Sequence, residues 1–252
     1  MVCVKHIPDP NIPPEMDGKT LKREGVTGVM DPGDEYGVEE ALLLQEKHGG
    51  EVTLVSMGPE VALEGIRRGL SMGADKGILV SDPSLKGADA LTTAKVLAAA
   101  IRKAGDVDLV IAGVESTDGY TGTMPATLAE LLGLPQVTFA KEIEGAEGAI
   151  KVKRQTADGY HVVECPTPAL MTLTAGANEP RYASFKGIMA AKKKPVDTFS
   201  LADLGLSAED VAVNQEITEL TPAEERKAGE KFEDDGTAAS KIADFLAEAK
   251  VI

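Results

Sequence analysis

Residues 108–125, DLVIAGVESTDGYTGTMP, hold an entire strand, a bend and the start of a helix. Leu109, Val110, Ile111 and Ala112 are apolar without alternation, the mark of a strand buried on both faces. A polar segment punctuated by Gly113, Gly119 and Gly122 follows, and Met124, Leu128, Leu131 and Leu132 then recur at helical spacing. A strand buried on both faces needs helices above and below it, so the neighbouring chain should alternate strand and helix.

Toward the N-terminus it does. Ala90, Ala94, Leu97 and Ile101 form an apolar stripe stopped by Gly105; before it stand a short strand at Ile78 to Val80 and a helix after Gly58-Pro59 carrying Leu63, Ile66 and Leu70. Val52 to Ser56 is another β-rich run. The preceding helix starts at Asp31-Pro32-Gly33-Asp34: Asp31 can cap free N–H groups, Pro32 loses no hydrogen bond at the first helical position, and acids suit the positive end of the helix dipole. Val38, Ala41, Leu42 and Gln45 follow the helical period, with Lys47 and His48 in the last turn and Gly49-Gly50 as the stop. A loop with Pro8, Pro10, Pro13 and Pro14 connects this helix to a first apolar run at Val2 to Val4. The pattern is that of a doubly wound, parallel α/β sheet.

Toward the C-terminus the pattern changes. From Ala149, two alternating runs flank Ala157-Asp158-Gly159 and read as a β-hairpin, and PALMTLTA (168–175) reads as a further strand. Phe185, Ile188 and Met189 then lie between Arg181, Lys186 and the run Lys192 to Lys194. Two readings stand side by side: a protein-recognition element with an apolar anchor among steering charges, or a short core helix with a solvated lysine end. After Pro195 little regular pattern is expected until Ile242, Phe245, Leu246 and Ala249 form a narrow stripe on a final short helix, which must dock on something to be stable.

The 252 residues carry 41 acidic and 26 basic side chains, a net charge of −15 that argues against general nucleic-acid binding. The charge is unevenly spread: −11 over residues 1–150, +4 over 151–200 and −8 over 201–252. No stretch is long and apolar enough to enter a membrane, and the start MVCVKHIPDP resembles no leader, so a cytoplasmic location is expected. The two cysteines, Cys3 and Cys165, are too few and too far apart for a disulfide framework or a four-ligand metal site, and Cys165 has no cationic neighbour in sequence to activate it. His6, His48 and His161 share no metal-binding spacing, and no metal site is expected. Nor is there a GxSxG elbow, so no catalytic residue is expected and chemistry should come from a bound cofactor.

In doubly wound sheets ligands gather at the carboxyl ends of the strands, against helix N-termini. The segment Val114, Glu115, Ser116, Thr117, Asp118, Gly119, Tyr120, Thr121, Gly122 occupies such a position, with hydroxyls, a carboxylate and bendable glycines suited to a phosphate and a ribose. From spacing alone an ordinary polar loop with capping residues is the favoured reading, and neither GxGxxG nor GxxxxGK[ST] is present.

Four segments resemble the β (small) subunit of electron transfer flavoproteins: VCVKHIPDP (2–10), MDPGDEYGVEEALLLQEKHG (30–49), SMGPEVALEGIRRGLSMGADKGI (56–78) and NEPRYASFKGIMAAKKK (178–194). The most specific is PRYxxxxxIMxAKKK. The resemblance covers about the first 195 residues and continues more loosely to the terminal helix. It implies an electron carrier rather than an enzyme: a heterodimer whose α subunit holds most of an FAD, while the β subunit binds AMP structurally, or a second FAD in the bifurcating branch. By matched position the nucleotide would touch Cys3, Val4 and Lys5, Asp31, Pro32, Gly33 and Asp34, Met57, and the segment Val114 to Gly122. Phe185 falls where the family places an apolar anchor, often leucine, that docks on dehydrogenases. The segment Val114 to Gly122 is shorter here than in the family members it most resembles, with Asp118 standing in for one of their several aspartates and Tyr120 in place of a glutamine. The division that follows is an α/β nucleotide-binding domain over 1–195, including a recognition segment over 176–194, and a C-terminal arm over 196–252 that docks on the α subunit. The implied partners are the α subunit, acyl-CoA-type dehydrogenases and a membrane quinone oxidoreductase. A stand-alone nucleotide-binding sensor built on the same domain is the alternative from a different class.

Overall fold

In the computed structural model, which describes residues 1–146, 148–221, 229, 231 and 233–252, the chain opens with two short strands, β1 (Val2–Cys3) and β2 (His6–Pro8). A small hairpin of β3 (Met16–Asp17) and β4 (Thr20–Leu21) follows, then β5 (Gly28–Met30), antiparallel to β2. Helix α1 (Pro32–His48) begins as its sequence requires: Asp31 Oδ1 accepts the Gly33 N–H at 2.9 Å, and Gly49 ends it with a positive φ. The alternation continues through β6 (Thr53–Met57), α2 (Leu63–Met72), β7 (Lys76–Val80), α3 (Ala90–Ala104), β8 (Leu109–Gly113) and α4 (Met124–Leu132). Next come β9 (Gln136–Ala146), the hairpin β10 (Ala149–Thr156) and β11 (Gly159–Pro166), then β12 (Ala169–Leu173), α5 (Phe185–Ala191) and β13 (Val196–Phe199).

Nine strands form one sheet in the order β11-β10-β9-β12-β8-β1-β6-β7-β13. From β9 to β13 every pairing is parallel, and only the β9-β10-β11 edge is antiparallel. Strand β1 lies between β6 and β8, with Val2 opposite Leu54 on one side and Ile111 on the other. The chain steps outward from β1 through β6 to β7, then returns across to β8. The direction of winding therefore reverses between β1 and β8, the place where such sheets gather ligands.

Strand side chains alternate between two cores, as the pleat demands. Val2, Leu54, Leu79, Ile111 and Met171 face a core shared with Val38 and Leu42 of α1 and Ile66 and Leu70 of α2. Cys3, Val55, Val80, Val110 and Leu170 face the opposite core, filled by Ala94, Leu97 and Ile101 of α3 and Leu128 of α4. Helices thus cover both faces, and the doubly wound α/β architecture is the one the DLVIA strand implied.

The short strands β2 to β5 fall in the stretch read as a proline-rich loop, and two elements of the main sheet also escape the pattern. Strand β9 has register shifts against both neighbours, and Phe139 within it adopts a positive φ of 59°, so its apolar residues fall out of step with a simple alternation. Val196–Phe199, in the stretch expected to be irregular, pairs parallel with β7, and Leu201 and Val211 beyond it are buried in the α3-side core. A first compact unit runs from Met1 to Glu216. A second, Ile217–Ile252, contains α6 (Ala238–Glu248), on which Ile242 and Phe245 are exposed and no residue is buried.

Candidate functional site

The site lies at the carboxyl ends of β1, β6 and β8, where α1 begins. The backbone of Lys5, just past β1, is clamped to that helix start: its N–H donates to Asp34 Oδ2 at 2.7 Å, and its carbonyl accepts the Asp31 N–H at 2.8 Å. Asp31 is fully buried and holds the loop after β8, accepting from the Thr117 N–H at 2.7 Å and from the Thr117 hydroxyl at 2.6 Å. One carboxylate therefore caps α1 and fixes residues 114–122. Gly113 marks the close approach of the two segments, since a Cβ there would come within 3.0 Å of Asp34 Oδ1.

The side chain of Lys5 completes the connection. Its ammonium donates to Asp118 Oδ1 at 2.6 Å and to Ser116 Oγ at 3.3 Å, and Arg23 pairs with the other Asp118 oxygen. The Asp118 side chain is 3% exposed, whereas those of Lys5 and Arg23 are 39% and 44% exposed. Burial pushes the Asp118 carboxyl up, but the charge and hydrogen bonds of Lys5 and Arg23 outweigh it and hold the group below its ordinary value. Asp34 goes the other way. Burial and the neighbouring Asp31 charge push it well above the usual range, against hydrogen bonds from the Lys5 and Gly113 N–H groups. Cys3, buried beside Asp34, is pushed up to about 12 by burial first and that carboxylate second, so it stays a neutral thiol.

The sequence-derived residues thus converge. Lys5, Asp31, Gly33, Asp34 and Ser116 to Asp118 form one bonded cluster; Cys3 and Val4 lead into it from β1, Pro32 lies within the α1 start, and Met57 sits at the end of the adjacent strand β6. Val114 is half-buried, while Glu115, Gly119, Tyr120, Thr121 and Gly122 form the exposed rim. Tyr120 and Gly122 have positive φ values of 49° and 63°, and the chain turns there into α4, whose first turn has no side-chain cap. Helix N–H groups without a side-chain cap suit an anion. Arg23 was not foreseen, because it reaches Asp118 from 95 residues away in sequence.

The recognition residues lie elsewhere. Phe185 is 81% and Tyr182 92% exposed, with Ile188 and Met189 about half exposed, so α5 is not a core helix. Beside it an open hollow of about 450 Å³ is lined by Met72, Gly73, Tyr182, Lys186 and Lys194. No helix among the described residues is long and apolar enough to cross a membrane.

A covered, mostly parallel sheet with a charged loop and a capped helix start at its reversal point defines a doubly wound α/β protein with a candidate ligand site at its strand ends. The profile of the electron transfer flavoprotein domain matches residues 18–204. The electron transfer flavoprotein subunit beta of Mycobacterium leprae is 40% identical over 262 residues, covering 100% of this chain and 98% of that protein. The corresponding subunit of Bradyrhizobium diazoefficiens is 39% identical over 247 residues, or 96% of each chain. Subunit CarD of the caffeyl-CoA reductase-Etf complex of Acetobacterium woodii is 39% identical over 223 residues, 87% of this chain and 85% of that one. The chain belongs to the electron transfer flavoprotein family, among its β subunits.

Proposed function

We propose that this chain is the β subunit of a heterodimeric, cytoplasmic electron carrier, binding AMP structurally while its α subunit holds most of an FAD. FAD supplies the redox chemistry; the residues of this chain bind, orient and dock. The observation that carries the nucleotide reading is the bonded cluster Lys5–Asp118–Arg23 with Asp31–Thr117 at the β1/β8 reversal. Its two partly exposed cations, Lys5 and Arg23, are set against the carboxylates of Asp118 and Asp31, and the loop they pin runs on to the uncapped start of α4. That charge balance suits a single phosphate better than a polyphosphate, which would need more compensating charge. Rim hydroxyls of Ser116 and Thr121 are suited to a ribose. Titrating nucleotide-depleted heterodimer with AMP, ADP and ATP should give the tightest binding for AMP; tighter binding of ATP would refute this reading.

In the same proposal Phe185, Ile188 and Met189 dock acyl-CoA-type dehydrogenases, and the carrier passes its electrons to a membrane quinone oxidoreductase without itself entering the membrane. The division into a nucleotide-binding domain over 1–195 and an arm over 196–252 belongs to this reading; the arm starts as β13 at the edge of the main sheet, and the exposed stripe of α6 at its end meets the α subunit. Phe185→Ala should weaken coupling to the dehydrogenase in a steady-state titration while leaving FAD bound, and unchanged coupling would remove the anchor assignment. The similarity to a subunit of a caffeyl-CoA reductase-Etf complex favours a second reading, in which the site takes a second FAD and the carrier is of the bifurcating type.

A further inference from the structure

The exposed segment carrying Tyr182, Phe185, Ile188 and Met189 is fastened at both ends. At its start, Arg181 grips α1: its Nε and Nη2 donate to the two oxygens of Glu39 at 2.8 and 2.9 Å, its backbone N–H donates to Glu39 Oε2 at 3.0 Å, and its Nη1 donates to Glu46 at 2.6 Å. Asn178 adds bonds to the Tyr36 carbonyl at 3.1 Å and to Glu40 Oε2 at 3.0 Å. Glu39 and Glu40 are both buried, and Glu39 and Glu46 lie two helical turns apart on one face of α1. A buried carboxylate is tolerated only when paired, and a bidentate guanidinium fixes direction as well as charge.

At its end, the segment is fastened to α2. Arg67 Nη1 donates to the carbonyls of Ala191 and Lys194, the latter at 2.7 Å. Lys194 in turn places its ammonium on the carbonyls at the C-terminus of α2, Leu70 at 3.1 Å and Gly73 at 2.9 Å, together with Ala74. A cation there satisfies carbonyls that the helix cannot and faces the negative end of its dipole. Between the clamps, Gly187 lets α5 lie directly on α2, since a Cβ would come within 2.4 Å of the Ser71 carbonyl oxygen. Ser184 Oγ accepts the Gly187 N–H at 3.0 Å and caps a helix of seven residues, too short to persist alone.

We propose that Arg181 and Lys194 are positioning residues that hold the Tyr182–Met189 element as a preformed, rigid docking knob, so that partner binding orders little additional chain. A preformed element loses less conformational entropy on association than one that folds on contact. The effect on docking rests on the proposed role of Phe185, but the rigidity of the segment does not.

The test compares the heterodimer of the natural chain with Arg181→Gln, Arg181→Lys and Lys194→Met variants, two of which loosen opposite ends so that a folding failure in one leaves the other. Amide hydrogen exchange at Gly187 and Ile188, whose N–H groups are accepted by Ser184 Oγ and the Ser184 carbonyl, should be protected in the natural complex and at least about ten-fold faster in Arg181→Gln and in Lys194→Met, as expected for losing a charge-assisted bond. Arg181→Lys, which cannot reproduce the fork, should fall between. The KM for the dehydrogenase partner should rise about ten-fold with kcat retained. Rapid exchange at Gly187 and Ile188 in the natural complex, or exchange unchanged in both loosened variants, overturns the proposal. If exchange quickens and KM moves neither in the loosened variants nor in Phe185→Ala, the role of the clamps in rigidity stands and the docking role falls. If Phe185→Ala raises KM while the loosened variants do not, docking stands and the positioning proposal is overturned.

Discussion

Replacing Asp31 should damage the fold and the site together, by an amount that can be worked out from its contacts. In Asp31→Ala the cap of α1 is lost with the Gly33 bond, which costs about 1 kcal/mol. The Thr117 N–H and hydroxyl lose their acceptor as well. An orphaned buried donor costs about 1–3 kcal/mol, and because Thr117 is half-buried the lower end applies. The sum is about 2–3 kcal/mol, equivalent to a fall in Tm of roughly 5–10 °C for a unit of this size. Asp31→Asn keeps an oxygen for Gly33 but sets an amide donor against the Thr117 N–H, so it should lose only the second part, about 1–2 kcal/mol. Urea unfolding followed by far-UV circular dichroism measures both, and AMP affinity should fall in the same order because Thr117 no longer holds the rim. If both variants unfold within about 0.5 kcal/mol of the natural protein, the assignment of Asp31 as the joint between α1 and the β8 loop is wrong.

Asp118 gives a pH dependence of definite sign. Its carboxyl titrates lower in the folded than in the unfolded chain, so its contribution is present above the ordinary value of 3.8 and is lost as pH falls through the folded value. Asp118→Asn should therefore be less stable than the natural protein at pH 7, with the gap closing below about pH 4 in acid titration of unfolding; a gap independent of pH would contradict the ion-pair account. Gly187→Ala should cost about 1–3 kcal/mol in urea unfolding and displace α5, because the Ser71 carbonyl is backbone and cannot move aside cheaply. Phe185→Ala, at an 81% exposed position, should leave unfolding within about 0.5 kcal/mol of the natural value even as docking weakens; a larger loss of stability would mean that Phe185 is a packing residue.

What the chain reveals before folding is what depends on neighbours in sequence. The cap at Asp31, the unalternating Leu109–Ala112 run and the Gly49 stop each act within one or two turns, and they delimit α1 and β8 where the structure has them. The loop from Val114 to Gly122 was legible because its position after a buried strand gives its polar residues a place at the end of the sheet. Arg23 was not, since nothing local distinguishes it from other surface arginines and only the fold brings it to Asp118. Glu39 and Glu40 were hidden for the converse reason: acids on an amphipathic helix read as solvated, yet Arg181 and Asn178, roughly 140 residues later, cover them. Local pattern left the character of α5 open between core and surface. Its setting between two clamps, with Phe185 turned outward, is a tertiary fact.

In the proposed function, the Lys5–Asp118–Arg23 cluster and the α4 start hold a nucleotide monophosphate within an electron-carrying heterodimer. Denaturing the purified heterodimer and counting the released cofactors by chromatography tests it most directly. One AMP and one FAD per heterodimer, with AMP lost from a Lys5→Met, Arg23→Met double variant that keeps its FAD, is the result predicted. Two FAD and no AMP, or AMP retained in full by the double variant, would contradict it.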